Sequence, residues 1–193
     1  MYKPAIGIDI DGIIGDSDKT FRKYINKKFG FTLKRSDITK FMYEDILLIP
    51  KSKMKEFWKE FTEKKLWKEI PLLPNAKTAI NYLKDKYYIV IITARPETIK
   101  DMTIEWLSEN GIYYDKLFFV NEEKGESKLN KIFRANINLR FHIEDRVEFA
   151  LEFANEKIKV LLFDYPWNRD IKKKYDSEYL IRVKGWREAL SYL

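Results

Sequence analysis

The chain has 193 residues, 45% of them hydrophobic, and a formal net charge of +7 at pH 7. This length suits one principal domain with a small insertion, and the apolar content is sufficient for a core. Cysteine is absent and histidine occurs once, which excludes disulfides and a His/Cys zinc cluster, so any metal must be bound by oxygen. No stretch approaches the ~20 apolar residues of a membrane span, and no signal-peptide pattern is present, so we expect a cytoplasmic protein without a membrane partner.

The excess of positive charge is spread along the chain. The lysines alternate with glutamates and form no single tract, which is typical of solvated helix faces. A nucleic acid is therefore an alternative partner that the sequence does not favour over a small anionic substrate. No feature of the sequence predicts an oligomeric state.

The first elements are a strand and a set of helices. The apolar run at residues 5–8 predicts a strand, and apolar residues at helical spacing up to Phe29 predict a helix that ends at Gly30. Residues 36–66 also have helical spacing, interrupted at Pro50, and contain no convincing strand. The part of the chain before residue 73 is therefore expected to be mainly helical.

From Asn75 onward, helical patterns alternate with short apolar runs. The pattern predicts helices at 75–85, 96–110, 126–135 and 146–155, strands at 87–93, 116–120, 139–143, 158–163 and 179–183, and a short helix from Gly185. This alternation is typical of an α/β fold with a doubly wound, Rossmann-like parallel sheet. We expect residues 1–16 and 73–193 to form the core and residues 17–72 to form a small helical cap inserted after the first strand.

Acidic residues follow two of the predicted strands. Asp9 and Asp11 come directly after the first strand, and Asp145 follows the strand at 139–143. Ligands of such sheets bind beyond the carboxyl ends of the strands, where these acids should meet. Their mutual repulsion calls for a cation or a shared proton. Gly12 lacks a Cβ, so the backbone there can approach a phosphate closely.

The order of these features resembles the haloacid dehalogenase-like superfamily of phosphotransferases. Its four motifs match Asp9-Ile10-Asp11-Gly12, the strand that ends at Thr93, a lysine near residue 128, and Glu144-Asp145. Each motif alone is a weak signal, but the ordered set covers nearly the whole chain. The resemblance implies a magnesium-dependent phosphomonoester hydrolase.

The resemblance also implies roles for individual residues. Asp9 would attack phosphorus and form an aspartyl-phosphate, and Asp11 would act as general acid and then as general base. Mg²⁺ would be held by Asp9, the backbone carbonyl of Asp11, and Asp145, with Glu144 supporting these ligands. Each of these assignments depends on the family match.

Further residues are expected to bind the phosphoryl group. The resemblance assigns Thr93 to this role, together with the backbone at Gly12 and Ala94 and a lysine that balances charge. Lys124, Lys128 and Lys131 all lie in the window for that lysine. We favour Lys128, because it begins a predicted helix, and expect the other two to face solvent.

Within the superfamily, the chain resembles the 5′(3′)-deoxyribonucleotidases and their bacterial relatives. The similarity is carried by residues 9–16, 73–76, 143–146 and 162–168, the last of which includes Pro166-Trp167-Asn168. It implies a 5′-nucleotidase acting on (deoxy)nucleoside monophosphates. The animal enzymes follow the motif-two threonine with Ser-Pro, whereas Thr93 is followed by Ala94-Arg95-Pro96; Arg95 could contact phosphate or form a surface pair.

Candidate substrate contacts are Asp16, Arg95, Phe41, Trp58 and Trp167. A base could stack on the aromatic rings. However, Trp58 lies in an apolar stripe that could simply hold the cap together, and Asp16 could be a helix cap. The single histidine, His142, lies within an apolar strand and is interpreted as structural.

Three alternative functions stay open. The same chemistry could act on a sugar phosphate or on a phosphorylated nucleic-acid end, and the site could belong to a non-catalytic phosphate-binding module. A signalling receiver domain fits poorly, because receivers place a paired acid directly after the first strand, whereas this chain has its acidic pair after the fourth.

Overall fold

The computed structural model describes residues 3–169 and 178–193. Six parallel strands lie in this part of the chain: β1 (Ala5–Ile8), β2 (Tyr88–Thr93), β3 (Lys116–Phe119), β4 (Leu139–Glu144), β5 (Lys159–Phe163) and β6 (Leu180–Val183). They form one sheet in the order β3-β2-β1-β4-β5-β6. This doubly wound parallel arrangement confirms the predicted α/β class.

The central strand β1 is short and completely buried. Its residues are apolar or glycine because helices cover both faces of a parallel sheet. Ile8 pairs with Ile91 of β2 on one side and with Ile143 of β4 on the other. The register therefore brings the ends of these three strands together, and with them the residues that follow each strand.

Eight α-helices connect and flank the strands in the described residues: α1 (Ser17–Phe29), α2 (Glu44–Leu47), α3 (Lys51–Glu63), α4 (Ala76–Leu83), α5 (Lys100–Glu109), α6 (Lys128–Arg134), α7 (Val147–Asn155) and α8 (Trp186–Ala189). Helix α1 begins at Asp16, whose carboxylate accepts from the Lys19 N–H, and ends at Gly30 with φ of 74°. A left-handed glycine is a common helix end, so the predicted end is confirmed.

The segment 36–66 is less helical than its spacing predicts. The only α-helix between residue 36 and Pro50 is the four-residue α2, and Pro50 is the N-cap of α3, which begins at Lys51. The apolar spacing fails there because Ile38 is buried whereas Met42 is 48% exposed, so the two do not share a helix face. Leu48 at φ 52° then ends α2. No strand is formed between residues 36 and 66.

One apolar cluster includes both the sheet and the segment predicted as a cap. Ile6 and Ile8 of β1 belong to the same buried cluster as Phe57 and Phe61 of α3. The boundaries of a core at 1–16 and 73–193 and a cap at 17–72 thus stay a prediction. Within the described residues, we find no helix with the length and apolar content needed to cross a bilayer.

Candidate active site

The turn after β1 brings the backbone against Asp145. Gly12 has φ of 76°, and a Cβ built there would lie 2.4 Å from Asp145 Oδ2. Only glycine allows this close approach without displacing the acid. The Gly12 N–H donates to the Gly15 carbonyl at 2.9 Å and to Ser17 Oγ at 3.1 Å. The turn itself thus uses this donor, and phosphate binding by the backbone at Gly12 stays a prediction.

Lys128 joins the acids of two strands. Its Nζ lies 2.8 Å from Asp9 Oδ1 and 2.7 Å from Glu144 Oε2, and its side chain is 1% exposed. Ser127 caps α6 and places Lys128 at the first position of the helix, facing β1 and β4. Lys124 is exposed, and Lys131 lies 3.6 Å from Glu126 at an intermediate exposure. Of the three candidate lysines, Lys128 is the one that contacts Asp9.

Both oxygens of Glu144 are engaged. Oε2 accepts from Lys128 and from His142 Nε2 at 3.1 Å, and Oε1 accepts from the N–H groups of Asp145 and Arg146 at 3.1 and 3.2 Å. Burial by itself raises the pKa of Glu144, but Lys128 and His142 outweigh it and lower the pKa below its usual range. Glu144 is therefore ionised and orients its neighbours.

His142 supports this arrangement from within β4. The ring is fully buried and packs on Phe153 with 4.0 Å between ring centres. Burial lowers the pKa of His142, so the neutral ring donates to Glu144. His142 thus contacts Glu144 from the buried interior of the sheet, which agrees with a structural role.

Burial raises the pKa values of both Asp9 and Asp145. Burial raises the pKa of Asp9 to about 7; Lys128 opposes this shift, and Glu144 and Asp11 add to it. Burial, followed by the charges of Glu144 and Asp9, raises the pKa of Asp145 well above its ordinary value. The cause in both cases is a desolvated carboxylate beside other carboxylates.

These residues fit a divalent cation. Asp9, Glu144 and Asp145 each place a carboxylate oxygen within 4.8 Å of the others. Because four donors occupy Glu144, the oxygens left for a metal belong to Asp9 and Asp145. Lys128 pairs with Asp9 and Glu144, whereas Asp145 lies beside them without an ammonium partner in the described residues. Hard oxygen donors of this kind suit Mg²⁺.

The loop after β5 holds Asp145 from the side. Trp167 Nε1 donates to Asp145 Oδ2 at 3.0 Å, and Asn168 Nδ2 donates to the Asp145 carbonyl at 2.7 Å. Tyr165 stacks on Trp167 at 4.2 Å between ring centres and donates its hydroxyl to the Gly12 carbonyl at 2.9 Å. Sequence reasoning singled out Pro166-Trp167-Asn168 in the stretch that carries the family resemblance, but it gave a role only to Trp167 and none to Tyr165, two residues after the predicted strand.

The end of β2 carries Thr93, Ala94 and Arg95. Thr93 is 1% exposed and its Oγ1 accepts from the Arg95 N–H at 3.1 Å; Ala94 is half-buried. Arg95 donates through Nε and Nη2 to the two oxygens of Asp11 at 2.9 and 2.8 Å, and its side chain is 1% exposed. The expectation of a surface pair is wrong, because the pair is formed with Asp11 and the guanidinium is buried.

The remaining candidate substrate residues lie in different surroundings. Asp16 caps α1 and forms an ion pair with Arg35. Phe41 is 41% exposed, and its ring centre lies 4.2 Å from the Arg146 guanidinium, which follows Asp145 in sequence. Phe41 therefore lies near the acids.

Trp58 belongs to an aromatic cluster around α1 and α3. Its ring centre lies 4.9 Å from those of Phe21 and Phe57, and 6.1 Å from that of Trp67. These contacts favour the interpretation that Trp58 holds its own segment together. The sequence signal for that interpretation is the helical spacing of the aromatic residues.

Comparisons with known proteins agree with this geometry. Residues 3–193 match the family model of the 5′ nucleotidase, deoxy (pyrimidine), cytosolic type C proteins. The YqfW protein of Bacillus subtilis is 34% identical over 97% of this chain and 92% of its own length. A nucleotidase of Clostridium acetobutylicum is 30% identical over 98% of this chain and 93% of its own.

The fold has solved counterparts. A haloacid dehalogenase-like hydrolase from Streptococcus pneumoniae superposes with a TM-score of 0.73, 18% identity and 98% coverage of both chains. At this identity the likeness concerns the fold alone, whereas the family model and the relatives extend over nearly the whole sequence. The chain therefore belongs to the 5′ nucleotidase, deoxy (pyrimidine), cytosolic type C family and is a haloacid dehalogenase-like hydrolase of phosphomonoesters.

Proposed function

We propose that this protein is a magnesium-dependent 5′-nucleotidase that hydrolyses (deoxy)nucleoside monophosphates through an aspartyl-phosphate on Asp9. The observation that carries the proposal is the buried Lys128 ammonium, which pairs with both Asp9 and Glu144 beside Asp145 at the carboxyl edge of the sheet. Family membership supports the substrate class. We propose a cytoplasmic location on the same basis.

The nucleophile in this mechanism is Asp9. Its carboxylate attacks phosphorus as the bond from phosphorus to the ester oxygen breaks, which leaves an acyl phosphate on the enzyme. Lys128, at 2.8 Å, favours the ionised form of Asp9 and offsets the charge that gathers on the phosphoryl oxygens. Glu144 holds the lysine in place.

Asp11 moves the proton in both steps. As a carboxylic acid it protonates the departing ester oxygen, and as a carboxylate it then takes a proton from the water that attacks the phosphoenzyme. Inorganic phosphate leaves and Asp9 is regenerated. Thr93 and the backbone at Ala94, at the end of β2, are proposed to bind the phosphoryl oxygens.

The chain would hold Mg²⁺ through Asp9, Asp145 and the backbone carbonyl of Asp11. When bound, the ion supplies positive charge beside the phosphoryl oxygens and the desolvated acids. Trp167 and Asn168 position Asp145 through its carboxylate and its carbonyl.

Substrate choice is proposed to depend on residues 17–72. This segment contributes Phe41, which is exposed beside Arg146 next to the acids. An exposed ring at that position could pack against a nucleobase or the sugar. Asp16, Arg35 and Trp167 are other polar or aromatic groups near the edge.

The test is phosphate release from ribo- and deoxynucleoside 5′- and 3′-monophosphates and from sugar phosphates, with Mg²⁺ or with chelator. We compare the wild type with Asp9→Asn, and use Asp101→Asn, an exposed acid on α5, as the matched control. We expect magnesium-dependent turnover of nucleotides that is lost only in Asp9→Asn.

Other outcomes have defined meanings. Turnover by Asp9→Asn equal to wild type would overturn the aspartyl-phosphate mechanism. Turnover of sugar phosphates alone would replace the nucleotide with a sugar phosphate, and release only from 5′- or 3′-phosphorylated oligonucleotides would favour a nucleic-acid end. Phosphate binding without turnover would indicate a non-catalytic module.

A further inference from the structure

Arg95 forms an unusual pair with the acid that moves the proton. Its Nε and Nη2 donate to the two oxygens of Asp11 at 2.9 and 2.8 Å. The pair joins the end of β2 to the turn after β1, across 84 residues of sequence. A bidentate contact of this type determines the plane of the carboxylate as well as its position.

The surroundings of Arg95 restrict its movement. Its Cζ lies 5.4 Å from the ring centre of Trp67 and 5.1 Å from that of Trp106, and its side chain is 1% exposed, against 27% for Asp11. Trp106 is itself held by donation from Nε1 to the Ile70 carbonyl at 2.9 Å. The guanidinium is thus a buried, aromatic-lined support behind a partly exposed acid.

One nitrogen of the Arg95 guanidinium takes no part in the pair with Asp11. Nη1 of Arg95 is buried and has no hydrogen-bond partner among the described residues. A buried cation with an unsatisfied donor is costly, so packing alone does not account for a guanidinium at this place beside Asp11. The neutralisation of Asp9 and Glu144 does not supply it, because Lys128 makes those contacts.

We propose that Arg95 is a positioning residue that aims the Asp11 carboxyl group at the leaving oxygen of the substrate. This inference rests on the proposed function. In the first step the proton passes from Asp11 to the ester oxygen as the bond to phosphorus breaks, and the guanidinium stabilises the carboxylate that is left. In the second step the same carboxylate, held in the same place, accepts a proton from water.

A comparison of substrates with different leaving groups distinguishes a positioning role of Arg95 from a packing role. An alkyl ester, such as a nucleoside monophosphate or glycerol phosphate, needs a proton on its departing oxygen, whereas p-nitrophenyl phosphate departs as a stable phenolate. Proton transfer from a positioned group contributes about 10²–10⁴-fold to rate. The parameter to compare is kcat/KM, because it ends at departure of the leaving group and does not include the second step, in which both esters need Asp11 as base. A variant that misaims Asp11 should therefore lose kcat/KM on alkyl esters and keep most of it on the aryl ester.

The experiment measures kcat and KM of Arg95→Met and Arg95→Lys on both ester types. Arg169→Met is the matched control, because Arg169 makes the same two-pronged pair with Asp164 at 3.1 and 2.8 Å on an exposed surface. We expect kcat/KM of Arg95→Met on alkyl esters to fall by about 10²-fold, the lower end of the range for general acids, with a much smaller loss on p-nitrophenyl phosphate. Arg95→Lys should behave like Arg95→Met, because an ammonium cannot hold both oxygens in one plane.

A double variant tests whether the effect acts through Asp11. Asp11→Asn should show the same selective loss, and Arg95→Met should add little to it if both changes remove one function. Equal losses of kcat/KM on both ester types in folded Arg95→Met would overturn the proposal. A rise in KM on both esters without a change in kcat is one form of that outcome and would indicate a phosphate contact. If Arg95→Met does not fold, Arg95→Lys alone decides between the same outcomes.

Failure of the proposed function has a different signature. Asp9→Asn should remove turnover of both esters, and its retention would reject the mechanism on which Arg95 depends. If nucleotides are not substrates, the comparison is made with glycerol phosphate, and the positioning role is tested independently of the substrate class.

Discussion

Trp167 donates its indole N–H to Asp145 Oδ2 at 3.0 Å, and thereby ties the loop after β5 to the acid that follows β4. A group that hydrogen-bonds a metal ligand sets the orientation of that ligand, and its removal typically weakens metal binding about 10–100-fold. We expect Trp167→Phe to keep the stacking on Tyr165 and to raise the Mg²⁺ concentration for half-maximal activity about 10-fold. A magnesium titration of turnover measures this, and an unchanged midpoint would contradict it.

Substituting Gly12 by alanine tests whether the close approach to Asp145 matters to the reaction, apart from the strain of a left-handed backbone. The new Cβ would lie 2.4 Å from Asp145 Oδ2, so the acid must move and Mg²⁺ binding should weaken. Gly30→Ala is the matched control, because Gly30 has φ of 74° against 76° at Gly12, yet nothing lies within 4 Å of its Cβ position. Both variants should lose stability, by about 1 kcal/mol for the left-handed conformation, but only Gly12→Ala should lose turnover.

Denaturant unfolding and phosphate release on the same samples measure these two effects. Equal turnover in Gly12→Ala and Gly30→Ala would show that contact with Asp145 does not matter to the reaction.

Lys128→Met should damage both stability and activity. Removing the ammonium leaves Asp9 and Glu144 buried beside each other, and loss of one partner of a buried pair costs about 3–5 kcal/mol. Turnover should fall below detection, because the charge beside Asp9 is gone. Lys131 lies three residues later, and its Nζ forms a long ion pair of 3.6 Å with Glu126 at the surface. Lys131→Met should therefore change stability by under about 1 kcal/mol. Urea titrations compare the two, and similar midpoints would contradict the buried pairing.

Magnesium should stabilise the protein more at high pH. The pKa of Asp9 is raised to about 7 and that of Asp145 is raised well above its usual value, chiefly by burial. In the metal-free protein, the stability that protonated Asp9 contributes is therefore present at low pH and is lost as pH rises through about 7, and the raised pKa of Asp145 acts in the same direction. Mg²⁺ needs the ionised acids, so protons compete with it.

The thermal shift caused by Mg²⁺ should thus grow between about pH 6 and pH 8. Melting curves with and without the ion, at constant ionic strength, measure the difference and remove titrations that the ion does not affect. A shift that is the same at both ends of this range would contradict the prediction.

Much of the fold follows from local patterns. The alternation of apolar runs with helical spacing after residue 75 located each later strand to within a few residues, because buried parallel strands and amphipathic helices have different periods. The secondary structure of residues 36–66 was harder to predict, because Ile38 and Met42 have helical spacing without sharing a buried face. Short loops that are stabilised by distant contacts leave no periodic signal.

Order along the chain determined the family, the parallel sheet and the acids at its edge. Asp9, Asp11, Thr93 and Asp145 could be named in advance because the carboxyl ends of parallel strands meet wherever the strands pair. The partners of those acids were decided by tertiary structure. Arg95 reaches Asp11 and Trp167 reaches Asp145 only through the packing of side chains from separate elements, and hydrogen bonds between residues so far apart in sequence depend on three-dimensional geometry that no local spacing encodes.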